Sequence, residues 1–570
     1  MRWLQGVFAL GLGLATVLAG PGRAWSAERL GVFLPPLIEF SLPVEDLARF
    51  AHNGAVSRQL DFYLRRLTPE QQAALADLLT RNFDLDQVTV SQFTYSAIGE
   101  DLLRRLTLVL HGDGEAEFYA LRAALILAAG DPEGLTLVNV LRRYPLEKLQ
   151  IDLDMSIRLV REAGQLFRQR DLVIARLREE AGRKAEWASS SASLSMAAQD
   201  SAQPHLSPEQ PGELEWQVER FQLVNPWRDT PVSVEVYLPE GKGRIPLVVI
   251  SHGIASDRNT FAYLARHLAS WGFAVAVLEH PGTDVERVRS FLSGFGSLPG
   301  PYEWVARPQD ISLLLDELEL RAQQDPSRWG RLDVKSAGLF GQSLGGYTVL
   351  AAAGAALNPA RLQENCQTSH SLELTLNVSL LLQCRAIEVF QASNLAAQAG
   401  QLADARIQAV FALNPLTSTV FGPEGLGQVG IPVMIMSGSE DYFTPALAEQ
   451  IEPFTWLGSQ QRYLAIVEGS THFTFLGGGG QGAFPVPQEL IGPDPQSARP
   501  LLKGLATAFF KTYLAAGSDS GGFSEYSTYL NSAYAESLTP APLRTTLIRD
   551  LRPERIQLAS FATAVRSTFP

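Results

Sequence analysis

The sequence predicts an α/β protein whose mostly parallel sheet carries helices on both faces, preceded by a small all-helical domain. From residue 213 onward, short apolar segments alternate with helical patterns. The apolar segments are continuous runs, which is typical of parallel strands that are buried on both faces. Before residue 187 the apolar residues recur at helical spacing instead. The runs that predict buried strands are 245–251, 273–279, 337–342, 407–414, 431–438 and 463–469.

The composition limits the classes of function that are open to the chain. It has 570 residues, of which 46% are hydrophobic and 19% charged, so it is long enough for more than one globular unit. The net charge is -13, and an acidic chain repels phosphate backbones, so we expect no nucleic-acid partner. The only cysteines are Cys366 and Cys384, too few for a cysteine-rich zinc or iron–sulfur site, and we predict no metal.

The first residues have the pattern of a targeting segment. Arg2 is followed by an uncharged, largely apolar stretch over residues 3–22 and then by the small-residue exit of residues 24–27. This pattern predicts a cleaved signal peptide and hence an exported protein, periplasmic or extracellular. The alternative is a membrane anchor formed by residues 3–22, because about 20 apolar residues can span a bilayer. In an oxidising compartment, Cys366 and Cys384 could form a disulfide.

The predicted organisation has two folded parts joined by a linker. The helical part contains neither a nucleophile–base pair nor a metal-ligand spacing, so we interpret it as a cover or docking module whose protein partner is unknown. The linker is rich in Ser, Ala, Gln and Pro and has no apolar period. The predicted boundaries are 1–27 for the signal peptide, 28–186 for the helical domain, 187–212 for the linker, 213–516 for the α/β domain with a helical insertion at 358–404, and 517–570 for a C-terminal extension.

A candidate nucleophile lies between a predicted strand and a helix of small residues. The segment Gly341-Gln342-Ser343-Leu344-Gly345 has the G-x-S-x-G pattern, and its strand–turn–helix context predicts a nucleophile elbow at Ser343. Gly341 and Gly345 would permit the close approach of the flanking strand and helix. The alternative interpretation is a glycine-rich turn with an inert serine.

A serine hydroxyl becomes a good nucleophile only when a base removes its proton. In this type of fold the chain order is serine, acid, histidine. His472 directly follows the last buried strand and is the predicted base, because the only other histidine after the serine, His370, lies in the insertion. Asp441 follows the preceding strand and is the predicted acid, with the adjacent Glu440 as the alternative.

The predicted oxyanion hole consists of two backbone N–H groups, those of Ile254 and Leu344. His252 precedes the serine in the chain and is therefore in the wrong order for a base. We expect it to shape the turn that aims the Ile254 N–H.

Residues 213–516 resemble the α/β-hydrolase superfamily, in particular secreted dienelactone-hydrolase-like proteins and platelet-activating-factor acetylhydrolases. The segments that carry the resemblance are Ser251-His252-Gly253, His280-Pro281-Gly282-Thr283-Asp284, Arg307-Pro308-Gln309-Asp310 and the elbow at Ser343. The N-terminal part resembles the helical domain of unknown function that precedes such hydrolases. Two positions depart from these relatives: dienelactone hydrolases use a cysteine where this chain has Ser343, and acetylhydrolases place the acid where this chain has Asn414.

These observations predict a secreted serine hydrolase that cleaves carboxylic esters, with lipid or phospholipid acyl esters among the candidate substrates and with no cofactor. A membrane surface is also among the candidate partners. The alternative is a non-catalytic hydrolase-fold protein that docks a partner through its helical domain. The insertion at 358–404 is more apolar than a surface helix requires. It is interpreted either as a cap over an acyl pocket or as packing against the helical domain.

Overall fold

The structure is a computed structural model. The residues that it describes are 29–34, 38–110, 114–146, 148–192, 206–226, 228–297, 300–368, 377–477, 488–514 and 525–554. The predicted signal peptide, 1–27, lies outside them, as does most of the predicted linker. Among the described helices, none combines the length and the apolar character that crossing a bilayer requires.

The chain divides into two compact units. The first comprises Met1–Gln165 with Val288–Leu298 and Leu372–Leu374, and the second comprises Leu166–Arg287, Pro299–Ser371 and Thr375–Pro570.

The first unit is mainly helical, as predicted, but it also contains a three-stranded sheet, so the prediction of an all-helical domain was wrong in this respect. Strands β1 (Arg29–Leu34) and β2 (Ile38–Pro43) are antiparallel. Strand β3 (Lys148–Asp152) is parallel to β1 and pairs with it, although the two strands are far apart in the sequence. A pairing between distant segments has no local sequence signal. The helices of this unit are α1 (Val44–Asn53), α2 (Arg58–Leu64), α3 (Pro69–Thr80), α4 (Gln87–Thr94), α5 (Ala97–Thr107), α6 (Gly114–Ala129) and α7 (Leu137–Arg143), followed after β3 by the start of α8 (Leu153–Ala192).

The second unit is built on a nine-stranded sheet of order β12-β11-β10-β9-β8-β6-β7-β5-β4. The central strands β7, β6, β8, β9, β10 and β11 run parallel, and antiparallel pairs close the two ends of the sheet. This is the predicted α/β sheet. Its strands are β4 (Trp216–Leu223), β5 (Val232–Pro239), β6 (Ile245–Ser251), β7 (Ala274–Glu279), β8 (Leu332–Gln342), β9 (Ile407–Leu413), β10 (Val433–Gly438), β11 (Arg462–Glu468) and β12 (Arg544–Ile548).

Helices cover both faces of this sheet, and each face has its own apolar core. The helices that follow α8 in the chain are α9 (Ala262–Ser270), α10 (Val285–Leu292), α11 (Glu303–Gln324), α12 (Pro326–Trp329), α13 (Leu344–Ala352), α14 (Pro359–Thr368), α15 (Ser379–Gln383), α16 (Ile387–Gln391), α17 (Ser393–Ala399), α18 (Gly422–Leu426), α19 (Glu452–Phe454), α20 (Gln488–Ile491), α21 (Pro495–Tyr513) and α22 (Ser532–Ser537). All of these belong to the second unit except α10, most of which belongs to the first.

Two boundaries of this unit differ from the predicted 213–516. The second half of α8 belongs to it, because Val173, Ile174 and Leu177 are buried in its core. Residues from the predicted C-terminal extension belong to it as well, because β12 pairs antiparallel with β11. The second half of α8 has the pattern of an amphipathic helix, and β12 has that of a short edge strand. Such patterns do not show which part of the protein a segment packs against, so the sequence alone did not assign either segment to this unit.

The insertion at 358–404 forms the short helices α14 to α17 within its described part. Cys366 of α14 and Cys384 form a disulfide, which confirms the predicted pairing. The buried side chains of these helices, including Leu362, Ala386 and Val389, belong to the core of the second unit. Part of the unusually apolar character of the insertion is therefore explained by packing within the α/β unit.

Candidate active site

The predicted site residues follow four parallel strands of the second unit. Ile254 comes after β6, Ser343 after β8, Asp441 after β10 and His472 after β11. Because the carboxyl ends of parallel strands meet at one edge of a sheet, all four residues lie along that edge, where ligands bind in open α/β sheets.

Ser343 lies on a sharp turn between β8 and α13. Its φ and ψ are 57° and −121°, a strained backbone conformation for a residue with a side chain. The Ser343 N–H donates to the carbonyl of Leu413 at 2.9 Å, which ties the turn to the neighbouring strand. A Cβ on Gly341 would lie 2.1 Å from the Gly345 oxygen, and a Cβ on Gly345 would lie 2.1 Å from the Ser251 oxygen. Only glycine fits at these two positions.

Asp441 and His472 are in direct contact. Asp441 Oδ2 accepts a hydrogen bond from His472 Nδ1 at 2.6 Å. The same carboxylate accepts the backbone N–H groups of Phe443 and Thr444, both at 2.8 Å, and the Thr444 hydroxyl at 2.8 Å. Both side chains are largely buried, at 3% and 9% residue exposure. A carboxylate oxygen that accepts from His472 Nδ1 fixes the proton of the ring on that nitrogen, so that Nε2 offers a lone pair.

Glu440, the alternative acid, points elsewhere. Its carboxylate lies 3.1 Å from the guanidinium of Arg170 on α8 and accepts the Tyr442 hydroxyl at 3.1 Å. The geometry thus favours Asp441 over Glu440 as the partner of His472.

Gln342, the residue before the candidate nucleophile, contacts the candidate base. The Gln342 amide Nε2 donates to His472 Nε2 at 3.1 Å, and the Gln342 residue is 2% exposed. Within the described part of the chain, no hydrogen bond joins Ser343 Oγ to His472. The lone pair that would accept the serine proton is therefore occupied by an amide N–H, a contact that the sequence did not predict.

The turn after β6 lies directly against Ser343, the candidate nucleophile. A Cβ on Gly253 would be 3.3 Å from the Ser343 Cβ and 2.4 Å from Gln342 Oε1, so this position too requires glycine. In the described residues, neither the Ile254 N–H nor the Leu344 N–H has a hydrogen-bond acceptor. The Leu344 N–H is at the first position of α13, where helix N–H groups have no intrahelical partner.

His252 fixes the orientation of this turn. The backbone N–H of His280 donates to His252 Nε2 at 3.0 Å, so the proton is on Nδ1, which donates to the Gly253 carbonyl at 2.6 Å. Since a trans peptide directs its C=O and N–H in opposite directions, the Ile254 N–H points away from the His252 ring. Complete burial, together with the charge of Arg307, lowers the pKa of His252 well below its usual range and keeps the ring neutral.

A network of buried, hydrogen-bonded polar side chains surrounds His252. Arg307 is fully buried and donates from Nη2 to the His252 carbonyl and to Ser251 Oγ, and from Nη1 to Thr283 Oγ1 at 2.8 Å. His280 Nδ1 bonds with a carboxylate oxygen of Asp310 at 2.7 Å. Burial, followed by the charge of Arg307, lowers the pKa of His280 well below its usual range. Three of the four segments that carried the family resemblance, all except the elbow at Ser343, thus meet in one network behind the turn after β6.

This network has three further members that were not predicted from the sequence: Asn225, Arg228 and Glu303. Asn225 Nδ2 and the Arg228 guanidinium donate to Asp310, at distances of 2.7 to 3.0 Å. Arg228 also forms a bidentate pair with Glu303, at 2.8 and 2.9 Å. All are buried, and two arginines balance two carboxylates, so the network carries no net charge. The buried position of Arg228 and Glu303 has no sequence signal, because charged residues are normally exposed.

Ser251, His280 and Asp310 reproduce the connectivity of a catalytic triad. Ser251 Oγ lies 2.9 Å from His280 Nε2, and the ring continues to Asp310. All three side chains are completely buried, and Arg307 also binds the Ser251 hydroxyl. This serine is out of reach of a substrate, so its role is structural.

The region around His472 is apolar and aromatic. The ring centroids of Phe443 and Phe473 lie 5.4 and 5.6 Å, respectively, from the centroid of the His472 ring. Among the described residues, no group of three histidine, cysteine or acidic side chains has the arrangement of a metal site. The chemistry available here is that of a serine, a carboxylate-bound imidazole and two backbone N–H groups.

Two comparisons with protein families match parts of the chain. Residues 26–152 match the family described as "Alpha/beta hydrolase of unknown function". Residues 212–287 match the family described as "Platelet-activating factor acetylhydrolase, isoform II". No curated protein matches the chain. The second match ends before Ser343, Asp441 and His472, so it covers the turn after β6, which contains Ile254, and not the candidate triad.

Proposed function

Because the chain belongs to the α/β-hydrolase superfamily, we propose that it is an exported serine hydrolase that cleaves carboxylic esters through an acyl-enzyme. The observation that carries the proposal is the 2.6 Å hydrogen bond between Asp441 and His472 beside a serine held on a strained elbow. A buried carboxylate that orients an imidazole, next to a serine at the start of a helix, is the arrangement that acyl transfer requires.

The proposed reaction begins when Gln342 releases His472 Nε2. Ser343 Oγ then attacks the ester carbonyl carbon while His472 Nε2 accepts the hydroxyl proton. The negative charge that develops on the carbonyl oxygen is stabilised by the Ile254 and Leu344 N–H groups. His472 returns the proton to the departing alkoxide, which leaves as the alcohol. A water molecule, deprotonated by the same nitrogen, then hydrolyses the acyl-serine to the free acid.

The roles of the supporting residues follow from their contacts. Asp441 stabilises the imidazolium that forms in each half-reaction, and its four donors fix the position of its carboxylate. His252 stays neutral and holds the Gly253 carbonyl, which keeps the Ile254 N–H turned away from the ring. No cofactor or metal takes part in this scheme.

We propose lipid or phospholipid acyl esters as the substrate class. The support is the match to the platelet-activating factor acetylhydrolase family and the apolar rings beside His472. The insertion borders this edge of the sheet: Gln383 Oε1 accepts the N–H groups of Thr419 and Val420, in the loop after β9. We therefore keep the insertion as the proposed wall of an acyl pocket, and the Cys366–Cys384 disulfide agrees with export to an oxidising compartment.

A fluorophosphonate probe tests the proposal most directly. We expect one label per chain, on Ser343, as mapped by mass spectrometry, and no label on Ser343→Ala. The rate of ester hydrolysis should fall by about 10⁶ in that variant, as nucleophile loss does in a comparable serine protease. A panel of esters of graded acyl length on the wild type then reports the substrate class. A wild type that is folded, unlabelled and inactive would support the alternative, a non-catalytic protein that binds a partner.

A further inference from the structure

Helix α8 lies against both loops that carry the candidate acid and base. We call residues 439–442 the acid loop and residues 468–472 the base loop. The part of α8 that belongs to the second unit begins at Leu166. Its buried side chains, Val173, Ile174 and Leu177, anchor it in the apolar core. Because the helix is anchored in the core, its side chains can hold the loops that they contact in a defined position.

Arg170 holds the acid loop through two groups. Its Nη1 donates to the Ser439 carbonyl at 2.7 Å, and its Nη2 lies 3.1 Å from Glu440 Oε1. The Arg170 side chain is only 11% exposed and stacks over Phe167, 5.0 Å from the ring centroid. A guanidinium is planar and carries several donors, so it can bind a carbonyl and a carboxylate together, which an ammonium group does less well.

The same helix contacts the base loop two turns later. Arg178 Nη1 lies 2.8 and 2.6 Å from the two carboxylate oxygens of Glu468, the last residue of β11. This pair is more exposed than the Arg170 contact, so it contributes less.

Hydrogen bonds join the two loops to each other. The Glu440 N–H donates to the Ser470 carbonyl at 2.8 Å, and the Gly469 N–H donates to Ser439 Oγ at 2.8 Å. A shift of Ser439 would therefore move both loops. Asp441 follows Glu440 directly, so its position relative to His472 depends on this framework.

We propose that Arg170 is a positioning residue: its guanidinium holds the acid loop at the place where Asp441 orients His472. This inference rests on the proposed function, because it assigns Arg170 an effect on that reaction. It also gives the segment before the linker a role in catalysis, although Arg170 touches neither the substrate nor the reacting atoms.

The test compares Arg170→Met, Arg170→Lys and Arg176→Met, with Arg176 as an exposed control on the same helix. Methionine retains much of the apolar stem and removes all the donors. We expect kcat of Arg170→Met on a soluble ester to fall about 10- to 100-fold, because small misplacements of catalytic groups have effects of this size. KM should stay within about twofold, Arg170→Lys should recover part of the loss and Arg176→Met should match the wild type.

A proton NMR measurement separates positioning from general stability. The His472 Nδ1–H in its short bond to Asp441 should give a far-downfield resonance. We expect this resonance to shift or disappear in Arg170→Met at a temperature where circular dichroism shows the chain fully folded. If the resonance and kcat match the wild type, or if kcat falls only in proportion to the folded fraction, the inference is wrong.

The fluorophosphonate probe distinguishes the two proposals. If the wild type is labelled on Ser343 and Arg170→Met reacts at the same rate, the proposed function stands and the role of Arg170 is refuted. If the folded wild type is not labelled, the proposed function fails and this inference fails with it. If Arg170→Met does not fold, Arg170→Lys decides alone, by a kcat below that of the wild type at unchanged KM.

Discussion

Replacement of Asp441 by asparagine should trap His472 in the wrong tautomer. Asp441 Oδ1 accepts the backbone N–H groups of Phe443 and Thr444, which are donors only and cannot turn away. The asparagine carbonyl oxygen must therefore take the Oδ1 place, and its NH₂ group must take the place of Oδ2. There it faces His472 Nδ1, so that nitrogen has to present a lone pair and the proton moves to Nε2.

The magnitude follows from this change. With its proton on Nε2, His472 cannot accept the proton of Ser343 until it changes tautomer and loses its partner. The comparable substitution in a serine protease lowers kcat by about 10⁴, which corresponds to about 5 kcal/mol of transition-state stabilisation. The fold should survive, because the Thr444 hydroxyl can turn its proton to the Asn414 carbonyl, 3.2 Å away, and accept from the new NH₂ group.

The assay is kcat for a soluble ester across pH, with nitrogen NMR of the imidazole as the readout of the tautomer. Glu440→Gln is the matched control, because it removes the neighbouring charge and leaves the Asp441 contacts in place. We expect the control to lose about tenfold or less. Loss of less than about tenfold in Asp441→Asn, or a larger loss in Glu440→Gln, would refute the assignment of the acid.

Three further changes have defined outcomes. Gln342→Glu places a carboxylate 3.1 Å from His472 Nε2, so the acid limb of the pH–rate profile should move up by about one pH unit or more; an unchanged limb would show that the amide contact is absent in solution. Cys366→Ser removes the disulfide to Cys384, which closes a loop with a sequence separation of 18, and urea unfolding should show that the free energy of unfolding falls by about 3 kcal/mol. An equal unfolding midpoint for the oxidised and the reduced wild type would contradict this. Burial lowers the pKa of His267 to about 4, so the unfolded chain takes up the proton first as the pH falls. Relative to His267→Gln, the wild type should lose about 2 kcal/mol more between about pH 7 and pH 5, and parallel curves would rule this out.

The candidate site was predictable from sequence to the extent that its signals are local. The elbow at Ser343 needs only a strand, two glycines and a helix in order, and these are read from consecutive residues. Asp441 and His472 each follow a continuous apolar strand, so the chain order was enough to select them. The tautomer of His472 and its contact with Gln342 depend on three-dimensional placement and have no counterpart in the sequence.

The support of the site was not predictable, because it is assembled from distant segments. Arg228 and Glu303 are 75 positions apart and form a buried pair. In a sequence, both look like surface residues. The same reason applies to Arg170, whose partner Glu440 lies 270 positions away. Charges buried in pairs are visible only when the fold brings the partners together.

Strand β12 has a consequence for any shortened form of this protein. It covers the outer side of β11, with Leu464 opposite Ile548 and Glu468 opposite Arg544. A chain that ended at residue 516 would leave the outward-facing backbone N–H and C=O groups of β11 unpaired, along a strand whose five central side chains are buried. Such an open edge is a template for pairing with another chain, so the shortened protein should aggregate rather than form a smaller stable fold.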